Sequence, residues 1–389
     1  MFMKKILIVN NNMKVGGVQK SLYNLLWSLA GEYEITLCLF RSTGAYLDQL
    51  PAGVRVLTCG GAMKYLAMSQ GECRGIHKLL RGGLAFLCRI LGRDRVMKLM
   101  LLSEKRCPGE YDCALAFLHN GAISSFYGGV QEYVLSKVNA SKKVAFLHCD
   151  YRNCGANHSR NNRIIRKFHR IAACSDGCRD AFLSCMPELE DRCISVPNFH
   201  RFDEIRALAE KPVAYESDWL HGLCVARLAH EKGIERAIVA TAAARDAGHG
   251  FCLHLVGGGG MEYTLRELTA RLKLEDRVIF HGEQANPYPY MAGADLFLLT
   301  SFHEAAPMVI HEAIALALPV LTVETTSSQE MVAQSGAGWV CPNDQQALNE
   351  ALLDLLAHPE KIEKTRAFLT EQPVDNTAAA KQFYRLIEE

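Results

Sequence analysis

The chain has 389 residues, 49% of them hydrophobic and 22% charged, and a formal net charge of +1. That length exceeds what one hydrophobic core usually organises, so two domains are expected. The near-zero charge argues against a generic nucleic-acid binder, and no apolar run is long enough to cross a bilayer.

Fifteen cysteines are scattered along the chain without a C-x2-C pair. Cys174 and Cys178, separated by three residues, have no matching second pair, so cysteine spacing predicts no zinc site. Scattered thiols in a large α/β chain predict reduced cysteines that pack, in a cytosolic compartment. The opening MFMKKILIVNNNMK sets Lys4 and Lys5 before only four apolar residues, which reads as a first strand rather than a signal peptide.

KKILIVN feeds a polar turn and then an amphipathic helix, with Leu22, Leu25, Leu26 and Leu29 at helical spacing. Gly16 and Gly17 therefore fall in the first β–α loop. They serve either a tight turn or a close approach of backbone to a phosphate or sugar. The pattern is not G-x-G-x-x-G, which weakens a nicotinamide reading. EITLCLF, VRVLTC, DCALAFL, KKVAFLHCD, RIAACS and RCISVPN read as further strands, with QEYVLSKV as a helix among them. Alternating strands and helices predict a parallel sheet covered on both faces.

Residues 74–106 carry nine Lys or Arg against Asp94 and Glu104, with an apolar row interrupted at Gly82–Gly83. Such a basic amphipathic helix pair either lies on an anionic membrane surface or packs on the sheet with its basic face solvated. YRNCGANHSRNNRIIRKFHR, after the strand that ends at His148, reads as a polar loop leading into a helix.

After VPNFHRFD the pattern restarts: LHGLCVARLAHEKG, an Ala-rich helix, FCLHLVGGGG, a second helix, and RVIFHGEQ. The expected boundaries are 1–200 and 201–372 for two Rossmann-like domains, and 373–389 for a C-terminal helix packing back toward the first. In the stretch ADLFLLTSFHEAAPMVIHEAIALALPVLTV, Pro307 suits the first turn of a helix that should carry MVIHEAIALAL and stop at Pro319. Glu304 then lies in the loop above the carboxyl end of a strand, and Glu312 more than a turn into the helix. Open parallel sheets bind ligands at that edge, and a helix N-terminus there favours an anion. An acidic residue near a helix start can also be no more than a dipole partner.

VARLAHEKG, LHLVGGGG, VIFHG, NPYPYMAGADLFLLTS, HEAAPMVIHEA and PVLTVETTSSQEMV stand in one order over 223–332. With them the chain resembles a retaining glycosyltransferase of family 4, the glycosyl transferases group 1, with the GT-B fold of two Rossmann-like α/β domains facing a cleft. The resemblance implies that Arg227 and Lys232 grip the donor pyrophosphate and that Glu312 accepts from the ribose hydroxyls. It puts Glu304 beside the donor sugar, and the N–H groups of Met308 and Val309 on phosphate oxygens. Gly257 would let the chain pass close to the donor, and Pro287 and Tyr288 would lie where the base sits. Gly16 and Gly17 match the loop covering sugar and phosphate, and His148 a histidine near the reacting carbon.

The activity so implied is metal-independent hexosyl transfer with retention, the nucleotide sugar being a substrate and no cofactor being needed. A UDP-sugar is favoured as donor, with GDP-mannose next. The acceptor is a glycan or lipid-linked glycan of cell-surface polysaccharide. The setting is the cytoplasm, on the inner face of the plasma membrane if 74–106 binds lipid. The competing readings are a nucleotide-sugar epimerase or hydrolase of the same fold, and a non-catalytic binding subunit. Two departures from the family pattern stand out: Ala305–Ala306 replace the usual Gly-Phe after the first acid, and Leu318 takes the place expected for the usual Gly before Pro319.

Overall fold

In the computed structural model, which describes residues 3–68, 71–122 and 125–388, the chain divides into two compact units. One is Met1–Phe199 with Asn376–Glu389; the other is His200–Asp375.

The first unit is built on β1 (Lys5–Asn10), β2 (Glu34–Leu39), β3 (Arg55–Thr58), β4 (Glu110–Ala116), β5 (Asn139–Leu147), β6 (Arg170–Ala173) and β7 (Cys193–Ser195). All pair in parallel, in the order β3-β2-β1-β4-β5-β6-β7. Helices cover both faces, so the strands read as near-continuous apolar runs instead of alternating ones. Along β1, Ile6 and Ile8 point into one core with Leu22, Leu25 and Leu26 of the helix Gly17–Leu29. Leu7 and Val9 point the other way, into a second core with Met97 and Val134. The helix Thr377–Glu388 buries Phe383, Leu386 and Ile387 in the first of these cores. At about 1.5–3 kcal/mol for each large side chain, that burial is enough to seat it.

The second unit is built on β8 (Leu220–Val225), β9 (Phe251–Val256), β10 (Val278–Gly282), β11 (Leu296–Leu299), β12 (Val320–Val323) and β13 (Gly338–Cys341), parallel in the order β10-β9-β8-β11-β12-β13. Leu296 and Leu298 of β11 enter one core, and Phe297 and Leu299 the other. Each sheet runs outward in both directions from a central pair, β1 beside β4 and β8 beside β11. Those are the switch points at which open α/β sheets leave a crevice above their carboxyl ends.

The helix pair expected in 74–106 is Ile76–Leu91 and Arg93–Leu102, the first running through Gly82 and Gly83, because a helical glycine costs only about 1 kcal/mol and does not end a helix. One local expectation changes. The helix after Pro307 spans Met308–Ala315 and stops short of Pro319. Its C-terminal turn places Ala317 at φ +51°, while Leu318 is fully buried in the core. The position that would favour glycine is therefore Ala317 and not Leu318, at a left-handed strain of about 1–2 kcal/mol.

Candidate functional site

Apart from Gly16 and Gly17, the candidate donor residues follow the carboxyl ends of strands in the second unit. β8 runs into a loop that carries Arg227 and, in a short turn His230–Lys232, Lys232. β11 runs into the loop that carries Glu304. The two loops are tied across the switch point: the Phe302 N–H donates to the Glu231 carbonyl at 3.0 Å, and the Thr300 hydroxyl to that of Gly233 at 2.8 Å. On this frame Lys232 Nζ lies 2.6 Å from Glu304 Oε1, which also accepts from the Ser301 hydroxyl at 2.8 Å. The Lys232 and Glu304 side chains are only 26% and 12% exposed, so their charges are screened less than those of a surface pair. Arg227 is different. It is largely exposed and pairs with Glu231 one turn on.

Glycine shapes the neighbouring loop. Gly257 follows β9 with φ +142°, and a Cβ there would sit 1.9 Å from the Ala226 carbonyl oxygen. That close approach belongs to the protein's own backbone, since the loops after β8 and β9 are laced by Ala226 N–H to Val256 O and Leu228 N–H to Gly258 O. Gly233, which the sequence did not single out, has φ +56° and would bring a Cβ within 2.3 Å of Thr300 O. It is what lets the β8 loop reach the β11 loop.

Met308 and Val309 form the first turn of Met308–Ala315, whose N-cap Pro307 offers no side-chain cap. The first N–H groups of a helix have no partner within it, and the dipole there attracts an anion. Glu312 is buried on the same helix. Pro287 caps the short helix Tyr288–Gly293, but the Tyr288 ring is buried in the core with Phe202 and Met291. The sequence also gave no weight to Arg236. Its guanidinium stacks over Phe302 at 5.2 Å and donates to Asn343 Oδ1 at 2.7 Å, bracing the Glu304 loop.

In the first unit, Gly16 caps the helix Gly17–Leu29. A Cβ on Gly16 would meet Gln19 Oε1 at 2.8 Å, whereas one on Gly17 would meet no atom within 4 Å. The loop leading there is set by a feature the sequence reading passed over, the buried Asn10, Asn11 and Asn12 at the end of β1. Asn10 donates to the Asn12 carbonyl at 3.1 Å, and Asn12 to the Ala67 carbonyl at 3.2 Å.

His148 follows β5, half-buried between the rings of Phe117 and Phe146, with centroids at 4.7 and 5.8 Å. Its Nε2 is shielded from solvent and has no hydrogen-bond partner among the described residues. Burial, and then the charge that His119 could carry, push His148 down to about 3; burial alone pushes His119 to about 4. His148 is therefore a neutral imidazole at pH 7, able to hydrogen-bond a sugar hydroxyl but not to act as a proton donor of ordinary strength.

This makes a pH prediction. Below about 6.5 the unfolded chain takes up protons that folded His119 and His148 refuse, so stability is lost as pH falls from 6.5 toward 4 and is flat above 7. His311, beside the His200 ring at 4.8 Å and pushed by burial to about 4, adds the same trend in the second unit. The expected loss by pH 5 is on the order of 1–2 kcal/mol per histidine. Thermal unfolding followed from pH 8 to 4.5 measures it, and a midpoint unchanged between pH 7 and 5 would contradict it.

Two parallel α/β units with charged and glycine-rich loops at the strand ends define the class of GT-B glycosyltransferase folds. Residues 212–371, in the second unit, match the family described as Glycosyl transferases group 1. Over 142 residues the chain is 35% identical to the amylovoran biosynthesis glycosyltransferase AmsK of Erwinia amylovora, covering 34% of this chain and 35% of that protein. Over 158 residues it is 30% identical to the putative colanic acid biosynthesis glycosyltransferase WcaL of Escherichia coli, covering 38% and 39%. The chain thus matches little more than a third of the length of these curated relatives. The structure of Anabaena HepE in complex with UDP-glucose superposes with a TM-score of 0.67 at 19% identity, covering 99% of each chain. That likeness concerns the fold.

Proposed function

We propose that this protein is a retaining, metal-independent glycosyltransferase of cell-surface polysaccharide synthesis. It moves a hexosyl unit from a nucleotide sugar, a UDP-sugar first and GDP-mannose next, to a glycan or lipid-linked glycan. The observation that carries the reading is the shielded Lys232–Glu304 pair bridging the β8–β11 switch point, beside a loop with a second cation and a helix start with free N–H groups. That set suits a diphosphate leaving group with a sugar attached. The similarity to AmsK and WcaL supports the biosynthetic setting, and the UDP-glucose complex of HepE supports the donor.

In the proposed reaction the bond from the anomeric carbon to the diphosphate oxygen breaks. A bond to the acceptor oxygen forms on the same face, and the acceptor proton passes to the departing phosphate. Arg227, Lys232 and the N–H groups of Met308 and Val309 take up the developing phosphate charge. Glu304 orients the sugar, Glu312 the ribose, and neutral His148 a sugar hydroxyl. The second unit holds the donor and the first receives the acceptor.

Thermal unfolding with UDP, GDP, ADP and CDP tests the donor site. Ligand at a hundred times its dissociation constant adds about 2.7 kcal/mol, and Arg227→Ala should remove the shift. No stabilisation by any of the four would overturn the reading.

The lipid partner rests on the helix Ile76–Leu91. None of its residues is buried, and Ile76, Leu79, Phe86 and Ile90 stand exposed beside Lys78 and Arg89. No helix among the described residues is long and apolar enough to cross a membrane, so the fit is to lying on an anionic surface. Vesicles containing phosphatidylglycerol should sediment the protein, and neutral vesicles or Leu79→Asp should not. Equal behaviour on both vesicle types would remove the membrane from the reading.

A further inference from the structure

We propose that His221, Cys252 and His254 form a binding site for one zinc-class divalent cation in the second unit. The site lies in the half of the sheet opposite the strand ends that carry Arg227, Gly257 and Glu304. His221 stands near the start of β8, and Cys252 near the start of β9 with His254 two residues on. The parallel register pairs His221 with Cys252 and Leu223 with His254. Because strand side chains alternate, that register puts both imidazoles and the thiol on one face of the sheet. Their ligand atoms lie within 4.8 Å of one another, and all three residues are buried.

The surroundings fit a metal site rather than chance proximity. Nδ1 of His221 and Nε2 of His254 face each other at 2.9 Å. The outer nitrogen of each ring already has a partner. His221 Nε2 is 3.2 Å from the Ser217 carbonyl oxygen, and His254 Nδ1 is 3.0 Å from Nε2 of His281 on β10. A metal-ligating histidine needs such an outer acceptor to set its tautomer and aim its lone pair. Tyr215 closes the site, stacking on His254 at 4.0 Å and on His221 at 4.7 Å, with its own hydroxyl donating to the Tyr290 carbonyl at 3.0 Å.

Donor chemistry selects the ion. Two imidazoles and one thiolate suit Zn2+ and its neighbours in the transition series, whereas Mg2+ and Ca2+ want oxygen. In the metal-free row, one proton lies between His221 and His254 and the next between His254 and His281. When the ion enters, both protons shift outward along the row and the thiol loses its own. The histidines stay neutral, and one proton is released per ion. For tetrahedral bonds of about 2.0–2.1 Å to nitrogen, the two facing nitrogens need only part slightly. The ion would tie β8, β9 and the segment carrying Tyr215 and Ser217 together. It takes no part in transfer, so metal-independent chemistry at the other end of the strands is unaffected.

Spacing along the chain hides this site, because the ligands come from two strands thirty-odd residues apart and only their register joins them. The test uses tag-free full-length protein stripped with chelator and titrated with Co2+ and Zn2+. One equivalent of Co2+ should produce a thiolate-to-cobalt charge-transfer band, which Zn2+ then displaces, and Zn2+ should raise the unfolding temperature. Cys252→Ser should abolish the band. His281→Gln, which leaves every ligand in place, should weaken binding about 10- to 100-fold. Wild-type protein that takes up Co2+ without a thiolate band, or none at all, would overturn the proposal whether or not the variants fold. So would uptake unchanged by Cys252→Ser.

Discussion

Replacing Lys232 with alanine is expected to lower kcat/KM for sugar transfer about 100- to 1,000-fold. The size follows from what one preorganised charge is worth to a developing anion in a shielded site. Lys232 holds Glu304 at 2.6 Å. Its removal therefore does two things. It withdraws a cation from the leaving diphosphate, and it leaves a nearly buried carboxylate, supported among the described residues only by the Ser301 hydroxyl, to repel that diphosphate. Arg227→Ala should also be severe. Arg227 stands more in solvent, so more of its charge is already screened. Turnover of the donor that shifts the unfolding temperature, measured for both variants, checks the order. A Lys232→Ala enzyme within a few-fold of wild type would take Lys232 out of the phosphate-binding set.

Gly257→Ala is expected to destabilise the second unit by about 3–5 kcal/mol, and Gly260→Ala by less than about 0.5. The added Cβ at Gly257 would stand 1.9 Å from the Ala226 carbonyl, at φ +142°, where an L side chain is strained in any case. Neither chain can step aside, because Gly257 N–H is held by the Gly282 carbonyl at 2.8 Å and Ala226 N–H by that of Val256 at 3.0 Å. Three residues on, Gly260 has no atom within 4 Å of its would-be Cβ and no positive φ. Urea unfolding of the two variants side by side measures the contrast. Equal midpoints would show that Gly257 is not set by that contact, which would return it to a purely ligand-driven role.

Much of the architecture is legible in the sequence for one physical reason. A parallel sheet covered on both faces must bury every strand residue, so runs such as ILIV and LFLL declare themselves without alternation. The strands and the restart after VPNFHRFD follow from those runs. Glycine conformations were harder to read. Leu318 looked like the replaced glycine, yet the left-handed backbone falls on Ala317, because the C-terminal turn of the helix decides which residue reverses the chain. The resemblance places Tyr288 where the base sits, and the packing alone shows that its ring is buried in the core.

Composition and local pattern by themselves determined the α/β class, the parallel strands and the loops in which the charged residues lie. Tertiary structure alone decided which of those residues meet. Lys232 and Glu304 are 72 residues apart, and only the β8–β11 pairing sets them across one switch point. His221 and Cys252 become neighbours only through strand register. Backbone patterning is a local property of burial, whereas a site is made by the order in which strands pair, and that order depends on the packing of the whole unit.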